Sequence, residues 1–104
     1  MEYMYKSSSK ANTDELFEAF LLLKTPDEVA RFLKDLCTPQ EIEAMAERWN
    51  VCKILAQGQL TYREINQETG ASLATITRVA RFLKTEPHQG YKTVLEKTKL
   101  HPKK

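Results

Sequence analysis

Thr61-Tyr-Arg-Glu-Ile-Asn-Gln-Glu-Thr-Gly-Ala-Ser-Leu-Ala-Thr-Ile-Thr-Arg-Val-Ala-Arg-Phe-Leu83 pairs a short helix with a longer one across a turn that carries a glycine. Thr61 and Glu64 stand at capping-box spacing, in which the threonine hydroxyl accepts from a free backbone N–H and the glutamate reaches back to the cap. Gly70 can take the left-handed conformation that ends a helix, and Ser72 is placed to cap the next one. Ile65, Ile76 and Val79 have the spacing at which apolar side chains pack the two helices together. That leaves Leu73, Ala74, Thr75, Thr77 and Arg78 near the start of the second helix on faces the local core does not need. This pattern predicts a helix-turn-helix over residues 61–83, with the second helix entering the major groove of double-stranded DNA.

The residue types suit that groove. Hydroxyls of Ser72, Thr75 and Thr77 can bond to base edges or phosphates, Ala74 permits close approach, and Leu73 can touch a thymine methyl. Arg63, Arg78 and Arg81 can make charge-assisted contacts with phosphate or guanine. The same pattern also fits a plain helical hairpin in a bundle, or a protein-interaction module whose basic surface is incidental.

Working outward, three more pairs stand at capping-box spacing: Asn12 with Glu15, Thr25 with Glu28, and Thr38 with Glu41. Pro26 and Pro39 fall at the first helical position, where a missing N–H costs nothing. Gly58 ends the third helix, and Pro87 with Gly90 breaks the pattern later. The predicted helices run over about 13–24, 26–36, 39–57, 62–69, 73–84 and 91–98, and no stretch alternates with the period of a strand. The expectation is an all-α fold: a flexible arm over 1–11, a single helical domain over 12–98, and a basic tail over 99–104. Ile42, Met45, Ala46, Trp49, Cys52 and Ala56 form the predicted core stripe of the third helix. Leu16, Phe17, Phe20, Leu21, Leu22 and Leu23 spread round more than one face of the first. A second subunit is the expected cover, extended by Val29, Phe32, Leu33 and Leu36, which makes a homodimer.

The chain has 104 residues, 41% hydrophobic and 29% charged, which suits one soluble domain. Its net charge of +2 hides an asymmetry. Residues 1–60 hold seven Lys/Arg and ten Asp/Glu, net −3, whereas residues 61–104 hold nine and four, net +5. The basic half contains the predicted DNA reader. No apolar run is long enough for a bilayer, so a cytoplasmic protein without membrane contact is expected. Cys37 and Cys52 lie on apolar faces without metal-ligand spacing, and His88 and His101 stand far from both; no metal or cofactor is expected. With no glycine-rich phosphate loop, paired carboxylates or nucleophile arrangement, neither is an enzyme.

The string Gly70-Ala-Ser-Leu-Ala-Thr-Ile-Thr-Arg78 resembles the Gly-Ala-x-x-Ala-Thr-Ile-Thr-Arg signature of Trp repressor-like proteins. Thr38-Pro-Gln-Glu-Ile-Glu-Ala44, Arg48 and Gly58 line up with the same family without gaps, and the resemblance covers roughly residues 14–85. The whole looks most like the YerC/YecD branch. The resemblance implies an intertwined helical homodimer that presents two recognition helices to a palindromic operator as a transcriptional repressor. It also implies DNA-facing roles for Arg63, Asn66, Leu73, Ala74, Thr75 and Thr77, with Asn66 standing where Trp repressor has a lysine.

In Trp repressor an indole lies between two arginines, and the resemblance places Arg48, Arg78 and Thr38 at such a pocket. Here Val79 replaces a glycine that leaves room for the ring, and Phe82 replaces a serine that helps to bind the ligand amine. An isopropyl and a phenyl group would fill or close that space, since packed interiors resist even small added volumes. L-tryptophan is therefore not the expected corepressor, and no other effector is read from the residues.

Overall fold

A computed structural model of the protein describes residues 8–100. Among these, six helices follow one another: α1 (Ser9–Phe20), α2 (Pro26–Leu36), α3 (Pro39–Gln57), α4 (Tyr62–Thr69), α5 (Leu73–Lys84) and α6 (Gly90–Leu100). Among the described residues there is no strand, and no helix is long and apolar enough to cross a membrane. They divide into two compact units, 8–42 and 43–100.

Helix boundaries follow the caps. Thr38 and Thr61 form reciprocal boxes with Glu41 and Glu64: each threonine hydroxyl accepts from the glutamate N–H at 3.1 Å, and each glutamate carboxylate accepts from the threonine N–H at 2.8 Å. At α2 the box is offset, because Glu28 accepts from the N–H of Lys24 rather than that of Thr25. The expected start at Asn12 is replaced by one at Ser8, whose hydroxyl accepts from the N–H of Ala11, so residues 8–11 belong to α1 and its cap rather than to an arm. Ser8 has no Glu or Gln three residues on, so it lacks the reciprocal half of the signature. Residues 1–7, the rest of that expected arm, lie outside the described residues.

α1 also ends early. Leu21, Leu22 and Leu23 donate to the carbonyls three residues back, a tightening that closes the helix after Phe20, short of the expected end at 24. At the other end, Lys99 and Leu100 belong to α6, and Lys99 lies 3.5 Å from Glu96; only 101–104 of the expected tail lie outside the description.

In the unit spanning 8–42, Phe20 and Phe32 meet edge to face, with ring centroids 5.2 Å apart. Neither α1 nor α2 carries a buried residue: Leu21 is 81% exposed, Leu22 75% and Phe17 61%.

The unit spanning 43–100 holds the core. Val51, Cys52 and Leu55 of α3, Ile65 of α4, Ala71 of the turn, and Ile76, Val79, Ala80 and Leu83 of α5 are buried together. This corrects the stripe expected on α3, where Met45, Ala46 and Ala56 are exposed. Burial follows apolar area, and the neighbouring face carries the larger Val51 and Leu55 against two alanines of the stripe. Trp49 and Ile54 pack at the edge of this core, as do Tyr91 and Leu95 of α6.

Gly58 and Gly70 both take positive φ, +70° and +78°, and open space surrounds the position of a Cβ at each. Substitution at Gly70 therefore meets a backbone cost and no clash. Gly70→Ala is expected to lower unfolding free energy by about 1 kcal/mol and Gly70→Asn by less, because Asn tolerates the left-handed region; urea denaturation reads the difference. Burial also pushes the Cys52 thiol above its ordinary pKa. Iodoacetamide at mildly alkaline pH is expected to leave Cys52 unmodified in the folded protein and to label it once guanidinium unfolds the chain, as peptide mass mapping would show.

Candidate nucleic-acid interface

The site is built on the three residues, 70–72, that join α4 to α5. Ala71 is fully buried there, so its backbone polar groups need partners other than water. Its N–H donates to the Thr69 hydroxyl at 3.0 Å, and its carbonyl accepts from the Asn66 side-chain amide at 2.7 Å. Thr69 in turn donates to the carbonyl of Ile65 at 2.7 Å. Asn66, expected to face DNA, is thus half-buried and spends an amide hydrogen on the turn.

Past the turn, Ser72 caps α5. Its hydroxyl accepts from the N–H of Thr75 and donates to the Thr75 hydroxyl, both at 3.1 Å. Thr75 is half-buried and tied to the cap. Ile76, Val79, Ala80 and Leu83 recur at helical spacing along the buried side of α5. Leu73, Ala74, Thr77, Arg78 and Arg81 occupy the other side, all exposed, and Leu73 presents 54% of its surface. Arg63 is exposed on α4.

The C-terminal half of α5 gathers a second group of side chains. The Arg78 guanidinium lies over the Phe82 ring, 4.4 Å from its centroid, and that of Arg81 lies 5.0 Å from the same centroid. His88 stacks on Phe82 at 5.9 Å, with the two planes 16° apart. Glu86 stands 3.6 Å from Arg81 Nε and 3.8 Å from His88 Nε2. Beside them a cleft of about 510 Å³ is lined by Trp49, Arg78, Phe82, His88, Gly90, Tyr91 and Val94. Trp49 and Tyr91 stack with centroids 6.4 Å apart. Burial, and after it Cys52, push the Tyr91 phenol above its ordinary pKa, while Arg48 and Arg78 oppose the shift.

Of the residues expected at a ligand pocket, only Arg78 and Phe82 line this cleft. Val79 is wholly buried in the core, Arg48 is half-buried outside the lining, and Thr38 belongs to the other unit. Glu86, His88 and Tyr91 were not singled out for this group. They lie at or beyond the turn between α5 and α6, where Gln89 rather than the neighbouring Gly90 takes the positive φ, +64°.

A family model described as Trp repressor protein matches residues 11–99. The chain belongs to the Trp repressor family. YerC of Bacillus subtilis is 44% identical over 86 residues, covering 83% of this chain and 81% of YerC. A Trp operon repressor homolog of Chlamydia caviae is 36% identical over 81 residues, 78% of this chain and 80% of that protein. The crystal structure of a TrpR-like protein from Eubacterium eligens matches with a TM-score of 0.79 at 40% identity, covering 86% of this chain and 91% of that one. The all-α fold and the resemblance read from Gly70 to Arg78 therefore hold.

Because the Thr69 hydroxyl accepts from the buried Ala71 N–H, Thr69→Val keeps the shape and strands that donor. It is expected to cost roughly 1–3 kcal/mol of stability and to speed amide exchange at Ala71; denaturation and hydrogen exchange followed by NMR would check both.

Proposed function

We propose that this member of a family of transcription regulators binds double-stranded DNA as a homodimer, with 61–83 as its helix-turn-helix and α5 as the recognition helix. The observation that carries the reading is the division of α5 into two sides. One is locked into the core by Ile76 and Val79; the other exposes Leu73, Ala74, Thr77 and Arg78 directly after a capped, hydrogen-bonded turn. Ser72 and Thr75 shape the helix start, where backbone N–H groups favour phosphate. Arg63 adds charge from α4, and Asn66 supports the turn. The net +5 over residues 61–104 suits a phosphate-rich partner.

The dimer is supported by the unburied apolar residues of α1 and the turn after it, among them Phe17, Leu21 and Leu22, which a second subunit would cover. Two recognition helices related by a two-fold axis would read a palindrome with half-sites about one helical turn apart. The protein acts without catalysis, as a cytoplasmic repressor.

L-tryptophan is not its corepressor in this reading. The face of Arg78 already carries the Phe82 ring, and Val79 fills core space with no exposed surface. A flat ligand would have to displace a side chain of the protein itself.

Selection of duplexes from a randomised pool, at two salt concentrations and with or without L-tryptophan, tests the whole. A palindromic site is expected, with affinity falling steeply as salt rises and unchanged by tryptophan, and with a dimer mass by sedimentation. Arg78→Ala is expected to weaken binding by roughly 1.5–3 kcal/mol, the worth of a charge-assisted contact. A pool that yields no enriched site favours the protein-interaction module instead.

A further inference from the structure

We propose that Phe82 is a positioning residue: a built-in aromatic platform that holds the Arg78 and Arg81 side chains in a binding-ready arrangement on α5. This rests on the DNA reading above. Both guanidiniums lie over this one ring, at 4.4 and 5.0 Å from its centroid, although the two residues stand three apart on an exposed helix side. A guanidinium stacked on a ring uses its face, and its N–H groups, which lie in its plane, stay directed outward for phosphate or guanine. The ring is itself held: Phe82 is half-buried and His88 stacks nearly parallel on it. Glu86 beside Arg81 adds a further restraint on that guanidinium.

The consequence concerns affinity. A free arginine loses rotamer freedom when it docks, and that loss is subtracted from binding; two arginines ordered in advance by one ring avoid part of it. The ring thus does from within the chain what a bound flat molecule could do from outside, and the protein binds without one.

The test compares Phe82→Tyr, which keeps a ring, with Phe82→Leu, which keeps apolar bulk and removes the π face. Each full-length variant is titrated against the duplex selected by the wild type, and the arginine side-chain resonances of the free proteins are recorded by NMR. Phe82→Leu is expected to weaken binding by roughly five- to thirtyfold, the scale of two partly exposed cation–π contacts, and Phe82→Tyr by less than about twofold. Arg78 and Arg81 side-chain protons are expected to be shifted upfield by the ring current in the wild type and in Phe82→Tyr, and unshifted in Phe82→Leu. Equal binding by the wild type and Phe82→Leu overturns the proposal, as does equal weakening by both variants, which would mark Phe82 as packing alone. If the wild type selects no duplex, the DNA reading falls separately. The ring-current shifts then decide the platform on their own: present in the wild type and lost in Phe82→Leu, they uphold it, and absent from the wild type they overturn it.

Discussion

Ala71 is fully buried in the middle of a three-residue turn, and a buried peptide group must find hydrogen-bond partners inside the protein. Two side chains of α4 answer that demand. The Thr69 hydroxyl takes the N–H and the Asn66 amide takes the carbonyl, while Gly70 supplies the left-handed φ that lets the chain reverse. With the turn closed in this way, Ser72 caps α5, Ile76 and Val79 reach the core beside Ile65, and Leu73, Ala74, Thr77 and Arg78 are left to solvent. The exposed face of α5 is in this sense the remainder after the turn and core have taken what they need.

The second group, at the far end of α5, rests on weaker forces. Its members are partly exposed, its ion contacts are longer than 3.5 Å, and each is worth little alone. The shared ring of Phe82 gives the group its coherence, because three neighbours stack on one half-buried side chain. An aromatic residue of the chain itself thus lies against the Arg78 guanidinium.

The two compact units differ in how far they are settled within one chain. The unit over 43–100 owns every buried residue among those described, whereas α1 and α2 own none. Amphipathic helices that bury little within their own chain draw stability from whatever covers them. The unit over 8–42 accordingly draws less of its stability from burial within its own chain.

Helices that begin with chemically complete signals are legible in the chain before any packing is known. Thr25-Pro, Thr38-Pro, Thr61 with Glu64, Gly58, Gly70 and Ser72 act within one turn of chain, and the starts of α2 through α5 and the ends of α3 and α4 follow from them. The start of the first helix differs because Ser8 caps without a glutamate, while the complete signature in view, Asn12 with Glu15, falls inside the helix. The buried face of α3, the inward role of Asn66, and the meeting of Phe82 with Arg78, Arg81 and His88 were decided by tertiary structure. Each depends on where a second element packs, and on which side chain offers more area or a better-placed donor. Those comparisons exist only once distant segments are in contact.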